Sequence, residues 1–249
     1  MNDLTILKFD DVSHAYHTLE KGEKGVTQAL SHLTFEVKRG QFVGVIGPSG
    51  CGKSTILSLA AGLLTPSSGK VITEGKRCGY MLQKDELFPW RTIEKNILLP
   101  LEMKKEWKNK KKVLLLAEKY GLGGFLKSYP HQLSGGMRQR AALIRTLATD
   151  PDLLLLDEPF SALDYQTRLT VCDDVYNVIQ SEQKTALLIT HDIGEAISVS
   201  DSVIVLTSRP AHVKAIYTLP FDRKTTPIER RKDGRFSDWF ELLWRQLNE

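Results

Sequence analysis

No apolar run in this 249-residue chain approaches the roughly eighteen residues that a membrane-crossing helix requires, so the sequence offers no transmembrane segment. The N-terminus, Met1-Asn2-Asp3-Leu4, lacks a positive stretch followed by an apolar one, which argues against a secretory signal. Cysteine is scarce. Cys51, Cys78 and Cys172 stand far apart, with none of the paired spacings of a disulfide framework or a zinc site. These absences predict an intracellular protein in a reducing compartment. Charge of one sign is lacking too: 34 basic against 30 acidic side chains leave a net charge of +4, too weak to argue for nucleic acid. There are no internal repeats and no low-complexity segments. The guanine-reading Asn-Lys-x-Asp of GTPase switches is also missing, since Asn109-Lys110-Lys111-Lys112 lacks the carboxylate.

What is present is a phosphate-binding loop. Gly47-Pro48-Ser49-Gly50-Cys51-Gly52-Lys53-Ser54-Thr55 fits G-x-x-x-x-G-K-[ST]. Its context is the one such a loop needs. Phe42–Ile46 ahead of it reads as a buried strand, and Ile56–Ala61 behind it continues without a breaker, as a helix does. The glycines let the backbone curl so that successive N–H groups face phosphate oxygens, and the following helix adds its positive end. Lys53 is expected to reach the β- and γ-phosphates and the Ser54 hydroxyl to hold Mg²⁺. The thiol of Cys51 is expected to be a small space-filler, because the backbone makes the contacts.

The rest of the chain alternates between strand and helix patterns. Residues 4–46 are β-rich: Leu4–Phe9 and Leu33–Val37 partly alternate apolar and polar, as half-buried antiparallel strands do, with a polar loop containing Gly22 and Gly25 expected between them. A turn at Pro66–Gly69 and a strand at Lys70–Thr73 follow. From about residue 90 to 149 the pattern is helical. Val113, Leu114, Leu116, Ala117 and Tyr120 share a face, preceded by a lysine run (104, 105 and 110–112) read as solvated. Strands are predicted at 153–156, 186–190 and 203–206 and a helix at 166–181. A charged loop is predicted at 223–235. Ser237 and Asp238 are expected to cap a last helix whose Trp239, Phe240, Leu243, Trp244 and Leu247 pack on the domain. A helical insert therefore interrupts an α/β core.

Two further sites carry chemistry. Asp157-Glu158 closes the apolar strand Leu153–Leu156, where a phosphate-loop NTPase places its second magnesium partner; Asp157 fits that role, and Glu158 is positioned to orient or deprotonate the attacking water. Ser134-Gly135-Gly136, followed by unbroken helix, reads as a capped helix start with exposed N–H groups, a second anion site.

Leu133–Arg140 resembles the signature of ATP-binding-cassette ATPases, and the remaining motifs of that family stand in order. Gln83 resembles the Q-loop glutamine, a magnesium and water ligand that couples to the transporter. Ser161-Ala162-Leu163-Asp164 resembles the D-loop, His191 the switch histidine at the γ-phosphate, and Tyr16 the aromatic residue stacked on adenine. The resemblance implies an α/β P-loop NTPase (RecA-like) core with an antiparallel β-subdomain and an inserted α-helical signature subdomain. Its division would be residues 1–88 and 150–222 for the core, 89–149 for the helical part, and 223–249 for a terminal loop and helix. It implies ATP and Mg²⁺ as ligands, and a head-to-tail homodimer in which Ser134, Gly135, Gly136 and Asp164 of one chain complete the other's site. Integral membrane permease subunits would be partners, with an extracytoplasmic solute-binding protein acting indirectly and no nucleic acid. The chain would lie in the cytoplasm, on the inner face of the membrane. Leu87–Thr92, Met137–Arg140 and Ser208-Arg209-Pro210 resemble importers for nitrate, sulfonate, taurine and related solutes.

The segment between Gly69 and Gln83 looks shorter than in those importers and the loop at 17–28 longer. A soluble cassette ATPase acting on nucleic acid or ribosomes is the rival class, and an exporter ATPase another. Only 80 residues separate Lys53 from Leu133, without the long coiled coil of DNA-repair members, and one cassette is present where ribosome-acting members carry two.

Overall fold

A computed structural model describes residues 4–20, 23–74 and 77–248. In chain order these form β1 (Thr5–Glu20), β2 (Glu23–Lys38), β3 (Phe42–Ile46), α1 (Lys53–Ala60), β4 (Ser68–Thr73), β5 (Cys78–Met81), α2 (Ile93–Ile97), α3 (Leu99–Lys104), α4 (Lys110–Lys119), α5 (Gly135–Leu147), β6 (Leu153–Asp157), α6 (Tyr165–Ser181), β7 (Thr185–Ile189), α7 (Ile193–Val199), β8 (Ser202–Leu206), β9 (Val213–Thr218), α8 (Pro227–Lys232) and α9 (Arg235–Asn248). They divide into two compact units, Met1–Lys76 with Thr185–Glu249, and Arg77–Lys184. No helix among the described residues is long and apolar enough to cross a membrane.

The first unit holds two sheets. In one, β1 lies between β2 and β4, all antiparallel. Phe9 sits opposite Phe35 and their rings stack at 4.6 Å, a cross-strand pair that fixes the register. The expected loop between these strands is strand instead: pairing runs on through Tyr16↔Thr27 and Thr18↔Gly25 to Glu20↔Glu23. Register shifts between Phe9 and Ala15, with Asp11 and His32 at positive φ, break the two-residue alternation and hide the strand from a pattern reading. Gly22, the other glycine of that expected loop, and Met1–Asp3 lie outside the described residues.

In the other sheet β3 runs parallel between β7 and β8, and β9 adds antiparallel to β8. Every residue of β3 and β7 is buried, which explains their unbroken apolar sequence. Ile46, Ile197, Val203 and Val205 share a core with Leu243 of α9. Three expectations fail here. The loop predicted at 223–235 contains α8, started by a Thr226/Glu229 capping box with Pro227 at the first helical position. Ser237 and Asp238 do not cap α9, which already begins at Arg235; they lie in its first turn. The aromatic face of α9 is only partly covered: Leu243 is 0% exposed and Trp239 and Leu247 pack beside it, but Phe240 is 41% and Trp244 53% exposed.

The second unit pairs β5 with β6 in parallel. Its helices enclose a core of Ile93, Ile97, Leu101, Val113, Leu116, Ala117, Leu133 and Ile144. The lysine run is exposed, as expected, and Lys110–Lys112 form the first turn of α4. Lys112 pairs with Asp150 at 3.1 Å and Glu182 at 3.0 Å, and Lys110 with Glu94 at 3.6 Å.

Candidate active site

The phosphate loop spans the gap between β3 and α1. Gly50 and Gly52 have φ of +72° and +119°, conformations that favour glycine. A Cβ on Gly52 would also stand 3.0 Å from Leu30 Cδ2 and 3.2 Å from the Ala29 carbonyl oxygen of β2. The loop closes around the buried Lys53, whose Nζ donates to the carbonyls of Gly47 at 2.8 Å and Pro48 at 3.1 Å. The Cys51 N–H also points into the curl, donating to Pro48 O at 3.2 Å. The Cys51 side chain is a buried filler, and burial pushes its thiol pKa up against the opposing pull of Lys53. Ser49 and Ser54 are exposed at the loop's rim. Tyr16 of β1 is 39% exposed; its hydroxyl lies 3.0 Å from Thr55 Oγ1 and its ring meets His14 edge-on at 4.8 Å.

His191 follows β7 in the same unit and is exposed. A buried network that the sequence reading missed holds its neighbours. The Thr190 hydroxyl donates to Glu195 Oε2 at 2.6 Å and accepts from the Asp192 N–H at 3.0 Å, and Asp192 caps α7 by accepting from the Glu195 N–H at 3.0 Å. The Asp-x-x-Glu spacing at 192–195 was the available signal.

In the second unit, Asp157 ends β6 and accepts from the Tyr80 hydroxyl at 3.2 Å, a partner that the sequence reading also missed. Glu158 has a positive φ of 44°, and its carboxylate accepts from Gln83 Nε2 at 3.1 Å. Ser161 Oγ donates to the Glu158 carbonyl at 3.0 Å and lies 3.5 Å from Gln83 Nε2. Gln83, 75 residues upstream, thus meets both the Glu158 carboxylate and the hydroxyl of Ser161. The segment before Phe88 is tied down by Arg138 Nε to Asp85 Oδ2 at 3.0 Å and by Arg145 to the carbonyls of Asp85 and Glu86 at 2.6 and 2.7 Å.

Ser134 caps α5, accepting from the Met137 N–H at 3.3 Å. Gly136 is buried where α5 meets α6, and a Cβ there would stand 2.9 Å from Val171 Cγ2 and 3.1 Å from Thr167 Cγ2. A Cβ on Gly135 would stand 3.0 Å from Leu163 Cδ2. Asp164 caps α6, and the hydrogen bonds from Thr167 hold its carboxyl below the usual range. Among the described residues no cluster of three His, Cys, Asp or Glu offers a metal cage. Mg²⁺ takes hard oxygens, one or two carboxylates together with substrate phosphates; the Ser54 hydroxyl in the first unit, and the Asp157 carboxylate and Gln83 amide oxygen in the second, are oxygens of that kind.

The sequence profile of the family described as "ABC transporter" matches residues 30–161, more than half of the chain. The chain belongs to the ABC transporter family. It is an ATP-binding subunit of that family and an ATPase with the P-loop fold. Among its relatives is the uncharacterized ABC transporter ATP-binding protein YtlC of Bacillus subtilis (strain 168), 44% identical over 98% of this chain and 96% of that one. The aliphatic sulfonates import ATP-binding protein SsuB of Bacillus cereus (strain ZK / E33L) is 41% identical over 81% of this chain and 83% of its own. The nitrate import ATP-binding protein NrtC of Synechococcus elongatus is 37% identical over 91% of this chain and 36% of its own. The resemblance to sulfonate and nitrate importers is thereby borne out. A dimeric ABC cassette, MJ0796, in a post-hydrolysis state bound to ADP and Pi, superposes with a TM-score of 0.71 at 28% identity, covering 87% of this chain and 100% of that one.

Proposed function

We propose that this ATPase drives the import of a small solute of the sulfonate, nitrate or taurine type through separate permease subunits. The observation that carries the ATP-driven part of this reading is the phosphate loop closed around Lys53, whose Nζ and the Cys51 N–H are engaged by the loop's own carbonyls. Lys53 Nζ and the Cys51 N–H exchange those carbonyls for phosphate oxygens when ATP enters, and Gly47–Thr55 cradles the phosphates. Tyr16, braced through its hydroxyl, stacks on the adenine. Ser54, Asp157 and Gln83 would hold Mg²⁺, which neutralises charge on the phosphates.

Glu158 accepts the proton of the attacking water, oriented for it by the Gln83 amide. His191 contacts the γ-phosphate from a backbone fixed by Thr190 and Glu195. Ser134, Gly135, Gly136 and Asp164 of a second copy complete the site in a head-to-tail dimer, a twofold arrangement in which each patch is used twice. This is supported by the dimeric state of the related cassette. Hydrolysis then releases the halves, and the motion passes to the permease through the Gln83–Trp90 segment. The importer direction is supported by the names of the sulfonate and nitrate relatives. It implies a peripheral position on the cytoplasmic face of the membrane, with an extracytoplasmic solute-binding protein delivering the solute.

The test is uptake of labelled alkanesulfonate, taurine and nitrate by cells with and without the chain. Loss of uptake of one of these anions is expected. Wild-type uptake of all three, with a defect in solute efflux instead, overturns the import reading.

A further inference from the structure

The phosphate loop is gripped from outside by a second cation. Arg209, in the connection between β8 and β9, donates from Nε to the Gly50 carbonyl at 3.0 Å, and a second guanidinium nitrogen donates to the same oxygen. The base of this arm is fixed. Ala211 is buried and exchanges two backbone hydrogen bonds with β2, its N–H to Ala29 O and its carbonyl from the Ser31 N–H, both 2.9 Å. Thr207 and His212 close the connection with backbone and side-chain bonds of 3.1 Å. Ala29 and Leu30 of β2 in turn abut Gly52. The loop is therefore held on one flank by β2 and on the other by a guanidinium whose backbone is anchored to β2.

The consequence follows from peptide planarity. The Gly50 carbonyl and the Cys51 N–H belong to one peptide unit, so fixing the direction of the oxygen fixes that of the hydrogen. Arg209 draws the oxygen outward, and the Cys51 N–H points inward to Pro48 O. The unit turns on ψ of Gly50 and φ of Cys51, and glycine, having no Cβ, leaves the first of these free over a wide range. Without Arg209 this unit can rotate and present a carbonyl oxygen, with its negative end, to the incoming phosphate.

We propose that Arg209 is a positioning residue for nucleotide binding: it locks the Gly50–Cys51 peptide with its N–H inward, so that the phosphate cradle is formed before ATP arrives. The inference rests on the reading that the loop at 47–55 holds the nucleotide. Arg209 touches no reacting atom, so its effect falls on binding. Loss of a charge-assisted hydrogen bond to the carbonyl weakens ATP binding by about tenfold. The KM for ATP rises correspondingly, and kcat stays within about twofold.

The experiment measures ATP affinity and ATPase kinetics of the full chain as wild type, Arg209→Ala, Arg209→Lys, Arg209→Gln and Lys53→Ala, with amide exchange of the 47–54 peptide recorded without nucleotide. Expected are a tenfold weaker ATP affinity and faster exchange in Arg209→Ala, with partial recovery of affinity in Arg209→Lys, which can still donate from a cation. Wild-type affinity in Arg209→Ala, alongside lost affinity in Lys53→Ala, overturns the role of Arg209 alone. Wild-type affinity in Lys53→Ala overturns the reading of the loop itself. Should Arg209→Ala melt early, the Lys and Gln variants decide: Lys retaining affinity that Gln loses supports the lock, and equal affinity overturns it.

Discussion

Gly136 lies in a segment read from the sequence as an anion-binding helix start, yet its surroundings also make it a packing residue, and Gly136→Ala separates the two. Alanine keeps every backbone N–H of α5 and can adopt the helical conformation, so the helix end survives the substitution. The added methyl carbon meets Val171 Cγ2 at 2.9 Å and Thr167 Cγ2 at 3.1 Å. Both are β-branched residues with few rotamers in a helix, and Val171 is fully buried, so the relief must come from moving α5 against α6. Overpacking of this kind costs about 1–3 kcal/mol. Alanine's better helix propensity returns at most about 1 kcal/mol, and less at the second residue of a helix. Setting about 0.5 kcal/mol of that return against the overpacking leaves a net loss of about 0.5–2.5 kcal/mol, which lowers the melting temperature by roughly 1–10 °C for a chain of this size. The assay is thermal unfolding without nucleotide, with Gly124→Ala as the control, since a Cβ on Gly124 meets nothing within 4 Å. A Gly136→Ala protein that melts with or above wild type refutes the packing argument and leaves the glycine explained by its N–H alone.

Gly52→Ala places a side chain at φ +119° against Leu30 and Ala29, and is expected to destabilise the protein by roughly 1–3 kcal/mol and to weaken ATP binding, read by melting with and without ATP. The carboxyl of Asp150 is held below its ordinary value of 3.8 by hydrogen bonds from Lys184 and Lys112. Its contribution to stability is therefore complete above pH 3.8 and is lost as pH falls through the lower folded value. Asp150→Asn should flatten that part of the acid-denaturation curve, and an unchanged acid limb would count against the pair.

The α/β core was legible because its strands are buried on both faces: Phe42–Ile46 and Ala186–Ile189 are unbroken runs without a polar side chain. Of the long β1–β2 ribbon only the segments at Leu4–Phe9 and Leu33–Val37 were legible, because the bulges that follow Phe9 reset the alternation on which a strand reading depends. Strand β9 is half-exposed along its whole length and α8 is short and highly charged, so neither presents an apolar stripe. Of the site, the phosphate loop, Asp157 and Ser134 could be read from local chemistry, since each is a strand end or helix start with a fixed geometric role. The partners that orient these residues were invisible for the opposite reason. Tyr80 against Asp157 and Arg209 against Gly50 join residues 77 and 159 positions apart, and no local spacing encodes such a meeting.

The central claim is that ATP closes two half-sites into one, the loop at Lys53 and the helix start at Ser134 coming from different copies. Glu158→Gln tests it most directly, since the side chain keeps its size and only the proton acceptor is lost. Light scattering of the purified full chain with ATP and Mg²⁺ should show the 28.1 kDa monomer converting to a species of about twice that mass. Hydrolysis should fall by about 10²–10⁴-fold. A variant that stays monomeric at saturating ATP while hydrolysing it at the wild-type rate would contradict the account.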